Sequence, residues 1–274
     1  YYQNILGKSM HLNNAPLMNK SLLMQHFNEI NILGLDKEQC FELALKAEKS
    51  RDFSPTIQGI SVGLSTGTSG NRGLFLVSPK ERAIWVATIL DRVIGFSLRK
   101  RKVAFFLRAN NNLYQSTQSK LLQFSFFDIL MPIENHLKKL QELQPDIIVA
   151  QPSVLNIIAE AIQQNQLNLS PQKVISVAEV LTPEDRKYFE NVFQQPIHQV
   201  YQCTEGFLAA TCRMGTLHFN EDFIQIEKKY IDAARTKFHP VITDLLRTSQ
   251  PIVRYELNDI INEKTSCACG SRMM

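Results

Sequence analysis

The chain has 274 residues, of which 44% are hydrophobic and 20% are charged, as in an ordinary soluble globular protein. Its formal net charge of +4 is too small to indicate a nucleic acid or a membrane as a partner. The apolar stretches are only a few residues long, so no segment is predicted to span a bilayer. Five cysteines without a signal peptide indicate a reducing cytoplasm rather than a disulfide scaffold.

The first 56 residues are predicted to be a helical N-terminal segment. Asp36 is a suitable N-cap, and Gln39 stands three residues later as its capping-box partner, so a helix is predicted to run from there through Arg51. Two further parts follow, an α/β subdomain at residues 57–200 and a smaller β-rich subdomain at residues 201–274.

Short β-rich runs alternate with capped helices in the middle part. Strands are predicted at residues 60–64, 103–107, 122–126, 146–150 and 173–178, and helices are predicted to begin at Pro79, Pro152 and Pro183. This alternation predicts an α/β fold with mainly parallel sheet layers and crossover helices. The helix from Pro79 is predicted to reach about Leu98, which would place the basic run at residues 99–102 at a helix end, where cations suit the helix dipole.

A loop of small and hydroxyl-bearing residues follows the first predicted strand. Between Ser65 and Gly73 it contains three glycines and four hydroxyl side chains. Such a loop can fold around a chain of phosphates, because small residues let the backbone N–H groups approach the oxygens. The alternative is a solvent-exposed hairpin turn. It is not a Walker A loop, because no Gly-Lys-Ser/Thr sequence follows at the required spacing.

Two later clusters contain polar residues at predicted strand ends. Residues 201–206 combine the ring of Tyr201, the hydroxyl of Thr204 and the carboxylate of Glu205, which suit base stacking, a phosphate contact and a magnesium ligand. The other cluster, at residues 251–259, ends with Asp259, whose carboxylate can accept hydrogen bonds from ribose hydroxyls. The alternatives are a surface acid and an ordinary turn aspartate.

The order and spacing of the three clusters resemble the adenylate-forming superfamily. The likeness is greatest to the branch of phenylacetate–CoA ligases, CapK-like proteins and coenzyme F390 synthetase-related proteins. It extends from about Pro16 to Gly270 and includes residues 15–20, which look like the entry segment of that branch.

The resemblance implies a role for each matching residue. Residues 65–70 would hold the β- and γ-phosphates of ATP, and Tyr201 would face the adenine. The catalytic residues would be Thr204, which would contact the α-phosphate, and Glu205, which would ligate magnesium. Residues 176–179 would line the adenine pocket, and Asp259 would bind the ribose. The implied nucleotide-binding set is Ser65, Thr66, Gly67, Thr68, Ser69, Gly70, Ser176, Ala178, Glu179, Tyr201, Thr204 and Asp259.

Some positions depart from the family pattern. Arg72 stands near the position where many family loops end in lysine, and Leu257 and Asn258 replace the usual Thr and Gly before Asp259. The family's hinge, its mobile C-terminal lid and the catalytic lysine of that lid are expected beyond Met274. The chain alone is therefore expected to form adenylate slowly.

The implied reaction converts an acid and ATP to an acyl-adenylate and pyrophosphate, followed by thioester formation with coenzyme A. It needs no side-chain nucleophile, in keeping with the absence of an obvious Ser-His-Asp or Cys-His arrangement. One alternative is F390-type nucleotidylation of a deazaflavin, and another is a degenerate nucleotide-binding scaffold without turnover. The expected partner is a small-molecule acid, and a homodimer is left open.

Four residues are predicted to form a structural zinc site. Cys212 and His218 flank a predicted β-turn, and Cys267 and Cys269 form a Cys-x-Cys knuckle. Three sulfurs and one imidazole would complete the closed tetrahedral shell of structural zinc. This pairing also resembles a zinc site in the phenylacetate–CoA ligase branch. The alternative is a set of unrelated reduced thiols, which is the interpretation given to Cys40 and Cys203.

Overall fold

The helices and strands of the protein divide between two units in a computed structural model. The structure describes residues 1–2, 11–65, 72–95, 97–107, 121–263 and 266–271. Unit 1 consists of Tyr1–Ala83, Thr204–Gly206 and Phe219–Met274, and unit 2 of Ile84–Cys203 and Phe207–His218. Among the described residues, no helix has the length and apolar character needed to cross a membrane.

Unit 1 begins with helices, as predicted. After a 3-10 turn at Leu12–Asn14 come α1 (Lys20–Gln25), α2 (Phe27–Ile30) and α3 (Lys37–Ser50). The Asp36 carboxylate caps α3 by accepting hydrogen bonds from the backbone N–H groups of Glu38 and Gln39, at 2.9 and 3.1 Å. The helix ends where Arg51 adopts a left-handed conformation with φ of 60°. This predicted helix is confirmed at both ends.

The strands of unit 1 form a hairpin and a small antiparallel sheet. The hairpin pairs β1 (Ser61–Leu64) with β2 (Leu74–Val77), and the sheet contains β10 (Ile224–Tyr230), β11 (Lys237–Asp244), β12 (Tyr255–Glu256) and β13 (Ile261–Asn262). Strand β11 pairs with the other three. Gly63 must be glycine, because a Cβ there would lie 2.1 Å from the Phe75 ring. All residues of β1 are half-buried.

The helix that starts at Pro79 is shorter than predicted. Helix α4 (Pro79–Ile89) continues as a π-helical turn (Leu90–Ile94), and Gly95 ends it with φ of 78°. The N–H of Gly95 donates to the carbonyl of Leu90 at 2.8 Å, which closes the wide turn. The predicted extension to Leu98 is wrong because the positive φ of Gly95 ends the helix after Ile94. Part of the predicted basic helix end, Arg101 and Lys102, instead begins a strand.

Unit 2 is built on a parallel sheet, as predicted. The strands are β3 (Arg101–Leu107), β4 (Leu122–Asp128), β5 (Ile147–Ala150), β6 (Lys173–Ser176), β7 (Ile197–Cys203), β8 (Gly206–Thr211) and β9 (Leu217–Phe219). Their order is β4-β3-β5-β6-β7-β8-β9, and the pairs from β4 to β7 are parallel. The mixed α/β fold with a mainly parallel sheet is therefore confirmed.

Helices α5 (Ile133–Leu143), α6 (Pro152–Gln163) and α7 (Pro183–Phe193) connect the parallel strands. Helix α7 starts as its sequence predicts, since the Thr182 hydroxyl accepts a hydrogen bond from the N–H of Asp185 at 3.0 Å. The core of this unit lies between the sheet and these helices and includes Phe106, Phe127 and Leu155, each no more than 1% exposed. The sheet thereby fixes the ends of β5, β6 and β7, which contain several candidate site residues.

Candidate functional site

The glycine-rich loop of unit 1 is closed at its base by Ser65. The Ser65 hydroxyl accepts a hydrogen bond from the N–H of Gly73, and the N–H of Ser65 donates to the Gly73 carbonyl, both at 2.8 Å. Ser65 is buried, so its hydroxyl serves the base of the loop. The other predicted phosphate-binding residues lie outside the described residues: Thr66, Gly67, Thr68, Ser69 and Gly70. Their role stays a prediction.

Arg72 is engaged at the same loop base. Its guanidinium donates to both carboxylate oxygens of Glu48, at 2.8 and 2.5 Å, and its Nε donates to the Ser65 carbonyl at 2.9 Å. The hydrogen bond with Glu48 raises the pKa of Arg72, so the arginine stays charged. Arg72 thus connects the base of the loop to helix α3. The sequence did not predict this ion pair, because Glu48 is one of several acids on that helix.

The half-buried Thr204 and the buried Glu205 form a polar pair in unit 1. The Thr204 hydroxyl donates to Glu205 Oε2 at 2.9 Å, and Glu205 is only 8% exposed. Arg247 Nη1 donates to the carbonyls of Thr204 and Glu205, at 2.9 and 3.0 Å. The backbone that presents the carboxylate is therefore held in place by a charged donor.

Arg247 also connects this pair to strand β2. Its Nη2 donates to the Leu76 carbonyl at 3.2 Å and to Gln250 Oε1 at 3.0 Å. Gln250 in turn accepts from the N–H of Leu76 at 3.1 Å and donates to the Leu74 carbonyl at 3.2 Å. Strand β2 directly follows the glycine-rich loop. The hydrogen bonds of Arg247 and Gln250 therefore connect the end of this loop to Thr204 and Glu205. Arg247 and Gln250 were not predicted as site residues, because they stand just before the cluster at residues 251–259 and form no recognisable pattern.

Glu81 fixes the segment that contains Arg247. Its carboxylate accepts hydrogen bonds from the N–H groups of Ser78, Thr248 and Ser249 at 2.7 to 2.8 Å, and from the Ser249 hydroxyl at 2.6 Å. Burial on its own would raise the pKa of Glu81, but these hydrogen bonds outweigh it and lower the pKa to about 2. Glu81, in the first turn of α4, therefore also fixes the position of a loop that is distant in the sequence.

Asp259 lies at an exposed position after β12. Its carbonyl oxygen accepts a hydrogen bond from His239 Nδ1 at 2.9 Å, which fixes the backbone at this point. Leu257, two residues earlier, is 6% exposed and packs into unit 1. The ribose-binding role of the Asp259 carboxylate stays a prediction, since both a ribose ligand and a turn aspartate are compatible with this placement.

The predicted adenine-pocket residues of unit 2 lie at and just beyond the carboxyl end of β6, and Tyr201 lies on β7. Ser176 ends β6, and Ala178 follows in a left-handed conformation with φ of 64°. Glu179 accepts hydrogen bonds from the N–H and hydroxyl of Ser153, at 3.1 and 2.9 Å, and so caps the start of α6. Tyr201 is half-buried on β7. This edge of a parallel sheet is where α/β proteins commonly bind ligands.

Two buried polar atoms at this edge lack partners. Among the described residues, neither Ser176 Oγ nor Gln151 Oε1 has a hydrogen-bond partner, although Ser176 is 2% and Gln151 5% exposed. Gln151 directly follows β5, which pairs with β6. A buried polar group without a partner is costly, so this pair indicates that a polar ligand or water completes the edge. Sequence reasoning missed Gln151.

Each half of the predicted zinc set forms a compact pair within its own unit. In unit 2 a turn joins Cys212 to His218: the N–H of Cys212 donates to the Thr216 carbonyl at 2.9 Å, and Gly215 has φ of 73°. The ligand atoms of Cys212 and His218 lie within 4.8 Å of each other. The N–H of Met214 donates to Cys212 Sγ at 3.3 Å.

The knuckle in unit 1 has similar local geometry. The sulfurs of Cys267 and Cys269 lie within 4.8 Å of each other, and Gly270, with φ of 80°, donates its N–H to the Cys267 carbonyl at 3.2 Å. The N–H of Ser271 donates to Cys269 Sγ at 3.3 Å. Cys40, by contrast, is fully buried, and burial raises the pKa of its thiol to about 11, as expected of an inert core cysteine.

The chain is similar to known proteins in part of its sequence and in its fold. No protein-family model matches the chain. Protein CapK of Staphylococcus aureus is 28% identical over 133 residues, which cover 47% of this chain and 29% of CapK. An open conformation of 2-hydroxyisobutyryl-CoA ligase, solved with 2-HIB-AMP and CoA, is 16% identical with a TM-score of 0.63. That match covers 90% of this chain and 59% of the ligase.

A second solved structure supports the same fold. The amide bond synthetase McbA from Marinactinospora thermotolerans is 14% identical with a TM-score of 0.54, over 71% of this chain and 42% of that one. The chain thus spans 59% of 2-hydroxyisobutyryl-CoA ligase and less than half of McbA and of CapK. At these identities the likeness establishes the fold.

The Glu81 network predicts a pH-dependent stability. Because the folded pKa of Glu81 is depressed, its contribution is present above the ordinary carboxylate range and is lost as the pH falls through the folded pKa, between about pH 5 and pH 2. At neutral pH, Glu81→Gln should lower the free energy of unfolding by up to about 3 kcal/mol, and this deficit should shrink towards pH 3. Urea denaturation at several pH values measures it.

The matched control is Glu142→Gln, at an exposed position of α5. It should leave the free energy of unfolding within about 0.5 kcal/mol of the original chain at every pH. A Glu81→Gln deficit that stays constant between pH 7 and pH 3 would contradict the proposed role of the Glu81 charge.

Proposed function

Starting from the fold of the adenylate-forming ligases, we propose that this chain contains the ATP site of an enzyme that activates a carboxylic acid. The acid's carboxylate oxygen attacks the α-phosphorus of ATP, the bond to the β-phosphate oxygen breaks, and pyrophosphate leaves. The observation that carries the proposal is the Thr204–Glu205 pair. It combines a half-buried hydroxyl and a buried carboxylate on a backbone that Arg247 connects to the strand after the glycine-rich loop.

The chemistry of this pair suits a magnesium nucleotide. A buried carboxylate is expensive to desolvate unless it meets a cation, and magnesium prefers carboxylate oxygens. Glu205 would hold the ion, which when bound neutralises phosphate charge, and the Thr204 hydroxyl would contact the α-phosphate. Residues 65–70 would hold the β- and γ-phosphates. Catalysis would then rest on positioning and electrostatics, because no side chain needs to act as a nucleophile.

The nucleoside would be bound by residues beyond the phosphate contacts. Ser176, Ala178 and Glu179 would line the adenine pocket, Tyr201 would face the base, and Asp259 would accept hydrogen bonds from the ribose hydroxyls. The buried, unpartnered Ser176 Oγ supports a polar ligand at the end of β6 among the described residues. Glu179 would act through the backbone, because Ser153 occupies both of its carboxylate oxygens.

Coenzyme A is the proposed acceptor of the activated acyl group. The support is indirect: 2-hydroxyisobutyryl-CoA ligase was solved with both 2-HIB-AMP and CoA. The alternatives are a deazaflavin acceptor and a scaffold without turnover. The engagement of Arg72 by Glu48 favours the scaffold slightly, because that arginine would have to release Glu48 to reach a phosphate.

A Glu205→Gln variant tests the nucleotide site. Removing the carboxylate should abolish detectable magnesium-dependent ATP binding in isothermal titration calorimetry and lower acid-dependent pyrophosphate exchange by about 10²–10³-fold, the typical cost of losing one electrostatic contact to a transition state. The matched control is Glu184→Gln on the exposed start of α7, which should leave both measurements unchanged. Equal ATP binding and exchange by Glu205→Gln and the original chain would rule out the metal role.

We also propose that Cys212, His218, Cys267 and Cys269 together bind one structural zinc ion. Each pair supplies two closely spaced ligand atoms, and a backbone N–H donates to one sulfur of each pair. Three thiolates and one imidazole leave no open coordination position, which suits a structural rather than a catalytic ion. The ion would stabilise the folded chain, because it binds the unfolded chain less well.

Metal analysis tests the zinc proposal. The purified protein should contain about one zinc per chain, Cys269→Ser should lose most of it, and chelation should lower the melting temperature. Cys203→Ser is the control, because Cys203 lies on β7 and is not one of the four proposed ligands. A protein purified without chelators that contains no zinc, or a Cys269→Ser variant that retains it, would overturn the proposal.

A further inference from the structure

Unit 2 contains a basic cavity that the proposed nucleotide contacts do not use, although Cys212, a proposed zinc ligand, also lines it. Its volume is about 460 Å³, and its lining includes Arg92, Arg101, Lys173, Arg213, His198 and Thr211. Arg101 and Lys173 are the first residues of β3 and β6, so the cavity lies at the amino ends of the parallel strands. Ser176 and Gln151 lie at the opposite, carboxyl ends.

The cavity wall has a strong excess of positive charge. Four of its residues are arginine or lysine, and among the described residues that line it none is acidic. Burial lowers the pKa of Lys173, and the nearby charge of Arg101 lowers it further. Gathering like charges in a partly desolvated wall is unfavourable unless an anion offsets them. The charge pattern therefore points to a ligand rather than to stability.

The basic side chains are held in place by backbone groups. Arg101 Nη1 donates to the Ile94 carbonyl at 2.6 Å, and Lys173 Nζ donates to the Val93 carbonyl. Both acceptors lie at the end of the π-helical turn. These carbonyls belong to a helix C-terminus, whose negative dipole end attracts the two cations and fixes their positions. Because neither cation is paired with a carboxylate there, each can still attract an anion.

His198 adds a neutral donor to the same wall. Burial, followed by the charges of Lys173 and Arg186, lowers the pKa of His198 to about 4, so the imidazole is neutral at pH 7. The Thr211 hydroxyl accepts from the N–H of Gln199 at 3.0 Å and lies 3.0 Å from His198 Nδ1. When the Thr211 hydroxyl donates its hydrogen bond to Nδ1, the proton of the neutral imidazole lies on Nε2. From there it can be donated to a ligand.

We propose that this cavity binds a small phosphorylated anion with two or more negative charges. Arginine forks and a lysine are the groups that recognise phosphate oxygens, and the volume suits a small molecule rather than a nucleic acid strand. Among the described residues, those proposed to contact the phosphates of ATP or magnesium, Ser65, Thr204 and Glu205, do not line the cavity. The inference stands independently of the proposed adenylating activity.

Calorimetry with pyrophosphate in magnesium-free buffer tests the site. The original chain should bind pyrophosphate, and Lys173→Gln should weaken binding at least about tenfold, as expected for a lost charge-assisted hydrogen bond. Arg213→Gln, at an exposed turn position, should weaken it as well and gives a second variant should Lys173→Gln fail to fold. Lys187→Gln, exposed on α7 and outside the cavity, is the matched control and should bind within about twofold of the original chain.

The Glu205→Gln variant separates this site from the ATP site. Its pyrophosphate affinity should equal that of the original chain, because Glu205 is not part of the cavity. The proposal is overturned if the original chain does not bind pyrophosphate, or if folded Lys173→Gln and Arg213→Gln bind it as well as the control. It is equally overturned if Glu205→Gln alone removes binding, since the anion would then occupy the proposed ATP site.

Discussion

The side chain of Arg247 connects the parts of unit 1 on which the candidate site depends. Its guanidinium donates to the backbone carbonyls of Thr204, Glu205 and Leu76 and to the side chain of Gln250. A planar fork with five donors can serve several carbonyls at once, which a lysine could not do. Without it, buried carbonyl groups would lose their partners, at a cost of about 1–3 kcal/mol each. The position of the Glu205 carboxylate thus follows from a contact with a residue 42 positions away.

This arrangement has a direct consequence for chemistry. An enzyme that transfers an adenylyl group gains rate mainly by holding charges where they are needed before the reaction starts. Arg247 and Glu81 fix the backbone around Glu205 and β2, so little reorganisation would be required when a nucleotide binds. Ser65 closes the base of the glycine-rich loop independently of the nucleotide.

The sequence predicted those parts of the structure that local patterns encode. Asp36 and Thr182 begin helices because each side chain satisfies N–H groups two or three residues later. The alternation of short apolar strands and capped helices predicted the parallel sheet, because crossover helices are the usual way to connect such strands. The end of α4 at Gly95 was not predicted, because the apolar pattern continues up to this residue and only its positive φ ends the helix.

The long-range hydrogen bonds could not be predicted in this way. The partners of Arg247 include Leu76, 171 positions earlier in the chain, and no spacing rule connects two such residues. The candidate site was found because clusters of glycine, hydroxyl and acidic residues have a recognisable chemistry. The residues that hold them, Glu81, Gln250 and Arg72, are ordinary surface types whose role depends on tertiary placement.

The proposed attack of a carboxylate on the α-phosphorus of ATP can be followed by isotope transfer. The protein would be incubated with Mg-ATP, coenzyme A and a pool of carboxylic acids whose carboxylate oxygens are labelled with ¹⁸O. Mass spectrometry of the nucleotide products then shows which phosphorus was attacked. We expect acid-dependent formation of AMP that contains one ¹⁸O atom, because one carboxylate oxygen remains on the phosphorus when the acyl group leaves. Formation of ADP, or of AMP that never contains the label, would contradict it.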